Sequence, residues 1–89
     1  MNLQIDRLPA VKAASGLARS TIYLKIADRL WTRPVALGAR AVGWPRHEVD
    51  ALVAARIAGV GDDGIRRLVA RLEAERASAL QRLTDGTAT

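Results

Sequence analysis

The sequence predicts a mostly helical fold with one small β-hairpin, organised around a helix-turn-helix. Three observations carry this. The apolar content is chiefly Ala, Leu, Val and Ile, with no Phe, two Trp and one Tyr, and Ala and Leu favour helix. A helical pattern stops at Ser15-Gly16, and a second begins within a few residues, carrying Arg19, Ser20, Thr21 and Tyr23 on and beside its first turn. Two short helices joined by a tight glycine-containing turn are the plan of a helix-turn-helix. Finally, Val35 and Leu37 alternate, as do Val42 and Trp44, with Gly38 near the bend between them.

The elements follow in order. Met1 to Asp6 reads as a lead-in, with Asp6 in an extended segment because Leu8 precedes Pro9 and is pushed out of the helical region. Pro9 suits a first helical turn, where no backbone donor is missed. Leu8, Val11 and Ala14 form a small apolar face, and Gly16 stops the helix, with Leu17 plugging the turn into the core. The second helix is expected from about Arg19 to Arg29, with Ile22, Ile26 and Leu30 facing inward at i, i+4 and i+8. Its expected N-cap, Ala18, has no side-chain acceptor, although Ser20 could cap a helix that starts later.

Trp31-Thr32-Arg33-Pro34 breaks the second helix ahead of the hairpin. A lone hairpin is not stable in water, so it must lean on the helices, and Trp31 and Trp44 read as core anchors at element junctions. Pro45 starts a third helix with Val49, Leu52, Val53 and Ile57 on one face, ended by Gly59-Val60-Gly61. Asp62 or Asp63 caps a fourth, which carries Ile65, Leu68, Val69, Leu72, Ala79, Leu80 and Leu83 at spacings of three and four. Arg76 interrupts that stripe, which argues against a long strict coiled coil. Because the first turn of the second helix in a helix-turn-helix reaches base edges in the DNA major groove, the organisation expected is a DNA-binding domain over 1–60, a helix over 61–84 that packs on it or mediates self-association, and a flexible tail over 85–89.

Charge separates two regions. From Arg7 to Arg46 there are eight basic residues against Asp28 alone, a net of +7, whereas from Gly61 to Thr89 five Arg balance five acids. One portion can face a polyanion and the other need not. With no Cys there is neither a disulfide framework nor a thiolate metal site. The single His47 has no second His beside it, so no metal is expected, and it reads as a surface residue. No apolar run reaches the length of a membrane span, and the charged first 20 residues do not resemble a signal peptide. A cytoplasmic protein is expected, nucleoid-associated when bound to DNA. Gly59-Val60-Gly61-Asp62-Asp63-Gly64 lacks the Lys of a phosphate-binding loop, and no nucleophile–base–orienter set stands out, so no catalysis, cofactor or small-molecule ligand is expected.

Taken together, RLPAV at Arg7–Val11, SGLARSTIY at Ser15–Tyr23, RPVALGARAVGW at Arg33–Trp44 and EVDALVAARI at Glu48–Ile57 resemble the AlpA family of small phage-type transcriptional regulators. That family is related to phage excisionases and to the DNA-binding part of MerR-type regulators. The resemblance implies a winged helix-turn-helix, with the second helix in the major groove and the hairpin as a wing beside it. Arg19, Ser20, Thr21 and Tyr23 would then read base edges and Arg40 would hold a phosphate or the minor groove from the wing. Three positions depart from the family's usual pattern: Ala18 in place of a Ser or Thr cap, Leu24 in place of a frequent Arg, and Ala36 in place of a frequent Lys of the wing.

Each candidate has a plainer reading. Arg19, Ser20 and Tyr23 could be a solvated helix face, but their place just after a turn, with Ile22 and Ile26 fixing the inward side, favours base reading. Arg40 could be a solubilising turn charge, yet a wing tip has little core to serve and a phosphate is a natural anionic partner. Lys25 and Arg33 read as general phosphate binders, while Arg7, Lys12, Arg29 and Arg46 could simply keep the chain soluble. The expected function is regulation of phage or mobile-element genes by binding double-stranded DNA, with a homodimer or higher oligomer open through the fourth helix. Two alternatives stand beside it: an excisionase-like protein that bends DNA, and a protein-interaction module, antitoxin or anti-repressor, acting through the fourth helix.

Overall fold

The computed structural model describes residues 3–88, with side chains as far as Thr84. The elements run β1 (Ile5–Asp6), α1 (Leu8–Ser15), α2 (Arg19–Ala27), β2 (Val35–Ala36), β3 (Val42–Pro45), α3 (Arg46–Ile57) and α4 (Asp62–Ala88). Helices dominate, and α1, its turn and α2 with the β2–β3 hairpin beside them form a winged helix-turn-helix followed by a long helix. Among the described residues, no helix is long and apolar enough to cross a membrane.

α1 begins at Leu8 with Pro9 in its first turn and ends where Gly16 adopts φ +70°, its N–H donating to the Lys12 carbonyl at 2.8 Å. A left-handed residue here closes the helix, and glycine takes it without the Cβ clash. The Ser15 hydroxyl adds to the turn: it donates to the Val11 carbonyl at 2.7 Å and accepts from the Leu17 N–H at 3.2 Å. α2 starts after Ala18, which has no side-chain cap bond. It ends two residues earlier than the pattern predicts, and the stop is of the same type without the glycine. Arg29 sits at φ +60°, while the Leu30 N–H donates to Lys25 at 2.7 Å and the Arg29 N–H to Ile26 at 3.1 Å. That is a Schellman closure made with a residue for which the left-handed region is unfavourable.

The lead-in is a strand. β1 pairs antiparallel with β3 (Ile5 opposite Pro45, Asp6 opposite Trp44), and β2 pairs with β3 on its other side (Val35 opposite Gly43, Ala36 opposite Val42). The hairpin therefore gains a third strand, in the order β1-β3-β2, and leans on more than helices. Gly43 makes this possible. A Cβ there would collide with the Ile5 side chain and stand 3.0 Å from the Asp6 carbonyl oxygen. Asp6 is buried and accepts from the Arg46 guanidinium at 3.1 and 3.2 Å, while the Arg46 N–H donates to the Gln4 carbonyl at 2.7 Å. Arg46 thus fastens the first strand to the start of α3. Pro45 closes β3 and caps α3 instead of beginning it.

The core draws on every helix: Val11 from α1, Ile22 from α2, Leu30 and Trp31 from the following loop, Trp44 from β3, Val49 and Leu52 from α3, and Ile65, Val69 and Leu72 from α4. Both Trp are buried, as their junction positions suggest. Ile57 is not: it is 82% exposed at the end of α3. The first half of α4 packs on the domain of its own chain. Neither Asp62 nor Asp63 is its cap; both lie in its first turn, and Gly61 precedes them with its carbonyl accepting from the Ile65 N–H at 3.0 Å. Acids in that turn favour the positive helix end. The backbone of α4 stays helical through Ala88, across most of the stretch expected to fray, and Thr89 lies outside the described residues.

Two ionic contacts hold α4 in place. The Glu48 carboxylate of α3 is completely buried, although its neighbour His47 is exposed as expected. The Arg76 guanidinium donates to its two oxygens at 2.8 and 2.7 Å, and to the Arg33 carbonyl at 2.7 Å. The hydrogen bonds to Glu48 raise the Arg76 pKa above its already high ordinary value. The residue that breaks the apolar stripe of α4 is therefore the partner of a buried acid. One turn earlier, Glu73 accepts from the Arg33 backbone N–H at 2.8 Å and pairs with its guanidinium at 3.3 Å.

Candidate nucleic-acid interface

The inward residues of α2 fix its outward face. Ile22 is fully buried and Ile26 packs partly against the core. At about 100° per residue, Ser20, Leu24 and Ala27 then share the opposite side, with Tyr23 on the flank beside them, and all four are exposed. Arg19 is exposed in the first turn, one turn before Tyr23 on the same flank, its guanidinium carbon 5.7 Å from the Tyr23 ring centroid. Such an exposed cation–π contact is worth about 0.5–1 kcal/mol and holds the first turn's cation over the aromatic ring. Thr21 and Lys25 lie on the flank and are half-buried, so the predicted readers do not all share one face.

Tyr23 joins the helix to the wing. Its ring meets Trp44 of β3 edge to face, with centroids 6.3 Å apart and planes at 69°. The Trp44 indole N–H donates to the Thr32 carbonyl at 2.9 Å, which ties the strand to the loop leaving α2. The Arg7 guanidinium donates to the Val42 carbonyl at 2.9 Å and anchors the same strand from the start of α1. Beyond these anchors the hairpin turns through Leu37–Ala41, closed by the Leu37 N–H donating to the Ala41 carbonyl at 2.7 Å. Gly38, Ala39 and Arg40 are exposed at this tip.

The basic region divides into tied and open charges. Arg46 serves Asp6, Arg7 serves the wing strand, and Arg33 is drawn to Glu73 of α4. Arg7 and Arg46 are thus structural, and Arg33 is less open to a phosphate than its position in the sequence suggests. Among the described residues, the side chains of Lys12, Lys25, Arg29 and Arg40 have no hydrogen bond or ion pair within the chain. The arrangement combines a helix face with a hydroxyl, a phenol and an edge cation, and an adjacent hairpin tip with an open cation. Residues of this kind can bond base edges and phosphates, and an exposed helix of this diameter fits a major groove. The sequence pattern left Ala27 out of this face. The i+7 step from Ser20, opposite Ile22 and Ile26, is the signal that assigns it.

A family model described as Prophage CP4-57 regulatory protein (AlpA) matches residues 4–57, more than half of the chain. The chain belongs to the AlpA family. The match to the AlpA model takes in β1, both helices of the helix-turn-helix, the wing and α3, and stops at the last residue of α3, so α4 lies outside it. Among curated proteins, this AlpA member is similar to the uncharacterized protein ORF88 of Enterobacteria phage P4, with 45% identity over 53 residues, covering 60% of each chain. The matched region thus spans less than two thirds of that relative's own length. No solved structure matches this AlpA chain significantly.

Proposed function

We propose that this AlpA-family regulator binds double-stranded DNA in a sequence-specific way and controls phage or mobile-element genes. The observation that carries the reading is the Tyr23–Trp44 contact: it fastens the wing beside the exposed face of α2, so the helix and Arg40 can engage one duplex together. In this reading α2 enters the major groove. Arg19 pairs with a guanine edge, Ser20 bonds a base or phosphate, and Tyr23 contacts the groove while steadying Arg19. Thr21, Lys25 and Arg33 serve the backbone from the flanks, and Arg40 grips a phosphate or the minor groove from the wing. The missing side-chain cap at Ala18 supports a further backbone contact, because the first amide N–H groups of α2 are open to a phosphate oxygen. The action is binding only: cations displace counterions from the phosphates, and the helix selects the site.

Selection of sites from a random duplex library tests this reading. The wild-type chain is expected to enrich a short motif, and Ser20→Ala and Tyr23→Ala to enrich altered ones. No enriched motif, or the same motif from all three proteins, would contradict the assignment of the reading face. Both side chains are exposed, so neither change removes the core.

A further inference from the structure

The outward face of α2 is unusually poor in charge for a helix that reads DNA. Its centre is Ser20, Leu24 and Ala27, with Tyr23 beside them. Leu24 is 68% exposed and lies near the pole opposite Ile22 and Ile26. Arg19 leans over Tyr23, its guanidinium carbon 5.7 Å from the ring centroid. An exposed Leu is ordinary on a protein surface taken singly. Here it stands one helical turn after Ser20, on the face opposite the core-facing Ile22 and Ile26.

We propose that Leu24 is a specificity-determining residue that packs against the 5-methyl group of a thymine, next to the base or phosphate bonded by Ser20. The inference rests on the reading of α2 as the DNA-contacting helix. The chemistry is selective. Among the four bases only thymine presents an apolar group in the major groove, while the other exposed groups there are donors and acceptors that Leu24 cannot satisfy. An aliphatic side chain opposite guanine or cytosine would strip water from those polar edges and return no hydrogen bond. Leu24 therefore favours thymine both by the methyl contact and by the cost of the alternatives, and Ala27, on the same face, leaves room for the base edge to approach.

Deoxyuridine separates the methyl from everything else about thymine, since it keeps the pairing and the O4 acceptor. The experiment measures binding of the wild type and Leu24→Ala to the duplex selected by the wild type, with each thymine replaced in turn by deoxyuridine. At one position the wild type is expected to lose about fourfold in affinity, the worth of one buried methyl-sized group. Leu24→Ala is expected to bind the thymine and deoxyuridine duplexes equally at that position. Because Leu24 is exposed, the variant should keep the helical circular dichroism of the wild type. If the wild type binds its selected duplex but ignores every replacement, the Leu24 inference is overturned while DNA reading stands. If Leu24→Ala keeps the full sensitivity, another side chain senses the methyl and the inference is equally overturned. If no duplex is bound at all, the proposed function itself fails, and this inference with it.

Discussion

Arg76→Ala is expected to cost about 3–5 kcal/mol of stability, because it leaves the carboxylate of Glu48 buried without its partner. Glu48 has no exposed surface, and the hydrogen bonds it receives from another side chain both come from Arg76, at 2.8 and 2.7 Å. Total stability for a domain of this kind is about 5–15 kcal/mol, so the loss is a large share of it. At about 4–8 °C per kcal/mol for a small domain, the melting temperature should fall by well over 10 °C. The same substitution frees the Arg33 carbonyl and loosens the loop that leads into the wing. Replacing both members by apolar residues of similar volume, Glu48→Met with Arg76→Leu, should recover most of the loss, since no uncompensated charge is then buried. Thermal and urea denaturation check this. A small cost for Arg76→Ala, under about 1 kcal/mol as for an exposed pair, would mean that this contact does not hold α4 to the domain. Raising the pH should not mimic the substitution. The guanidinium pKa is raised, so its contribution is present below that pKa and is lost only on passing through it, far above neutrality.

Trp44→Ala is expected to be comparably damaging, about 3–5 kcal/mol, through loss of a fully buried indole. Its second effect falls on function. Trp44 carries the edge contact to Tyr23 and the hydrogen bond to Thr32, which together set the wing relative to α2. Trp44→Phe separates the two roles. It keeps an aromatic ring for Tyr23 but leaves the Thr32 carbonyl unpaired, at about 1–3 kcal/mol. Measured at a temperature where all three proteins remain folded, duplex affinity should fall strongly in Trp44→Ala and much less in Trp44→Phe. Equal affinities for Trp44→Ala and wild type would show that the wing does not need this anchor.

Local signals made most of the architecture legible in the sequence. Pro9, Gly16 and Gly59 mark helix ends through backbone geometry that each residue imposes on itself. Ile22 and Ile26 set the inward side of α2 by spacing alone, and the absence of Phe singled out the two Trp as core. What escaped depends on partners distant along the chain. β1 is two residues long, too short for an alternation to register, and exists because β3 lies beside it and Gly43 lets it approach. Glu48 looks like a solvent-facing acid in a first helical turn until Arg76, a whole helix later, arrives over it. Arg29 ends α2 in a conformation its residue type disfavours, so no local preference announces that stop.

The candidate site was legible to the same extent and for the same reason. The exposed position of Ser20, opposite Ile22 and Ile26, follows from the periodicity of one helix. The flank positions of Thr21 and Lys25 follow less directly, because they depend on which neighbours crowd the sides of α2. Arg33 could not be told from an open cation without Glu73 in view. The basic excess between Arg7 and Arg46 was plain from composition, but only the fold separates charges that hold the structure together from those left for a polyanion.

The salt dependence of duplex binding tests the central claim most directly. If Lys25, Arg33 and Arg40 each neutralise a phosphate, the logarithm of the binding constant should fall with the logarithm of salt concentration at a slope of about −3. Arg40→Ala should weaken binding to every sequence alike and make that slope shallower by about 1. Affinity that is undetectable at low salt, or that does not change as salt rises, would contradict the account.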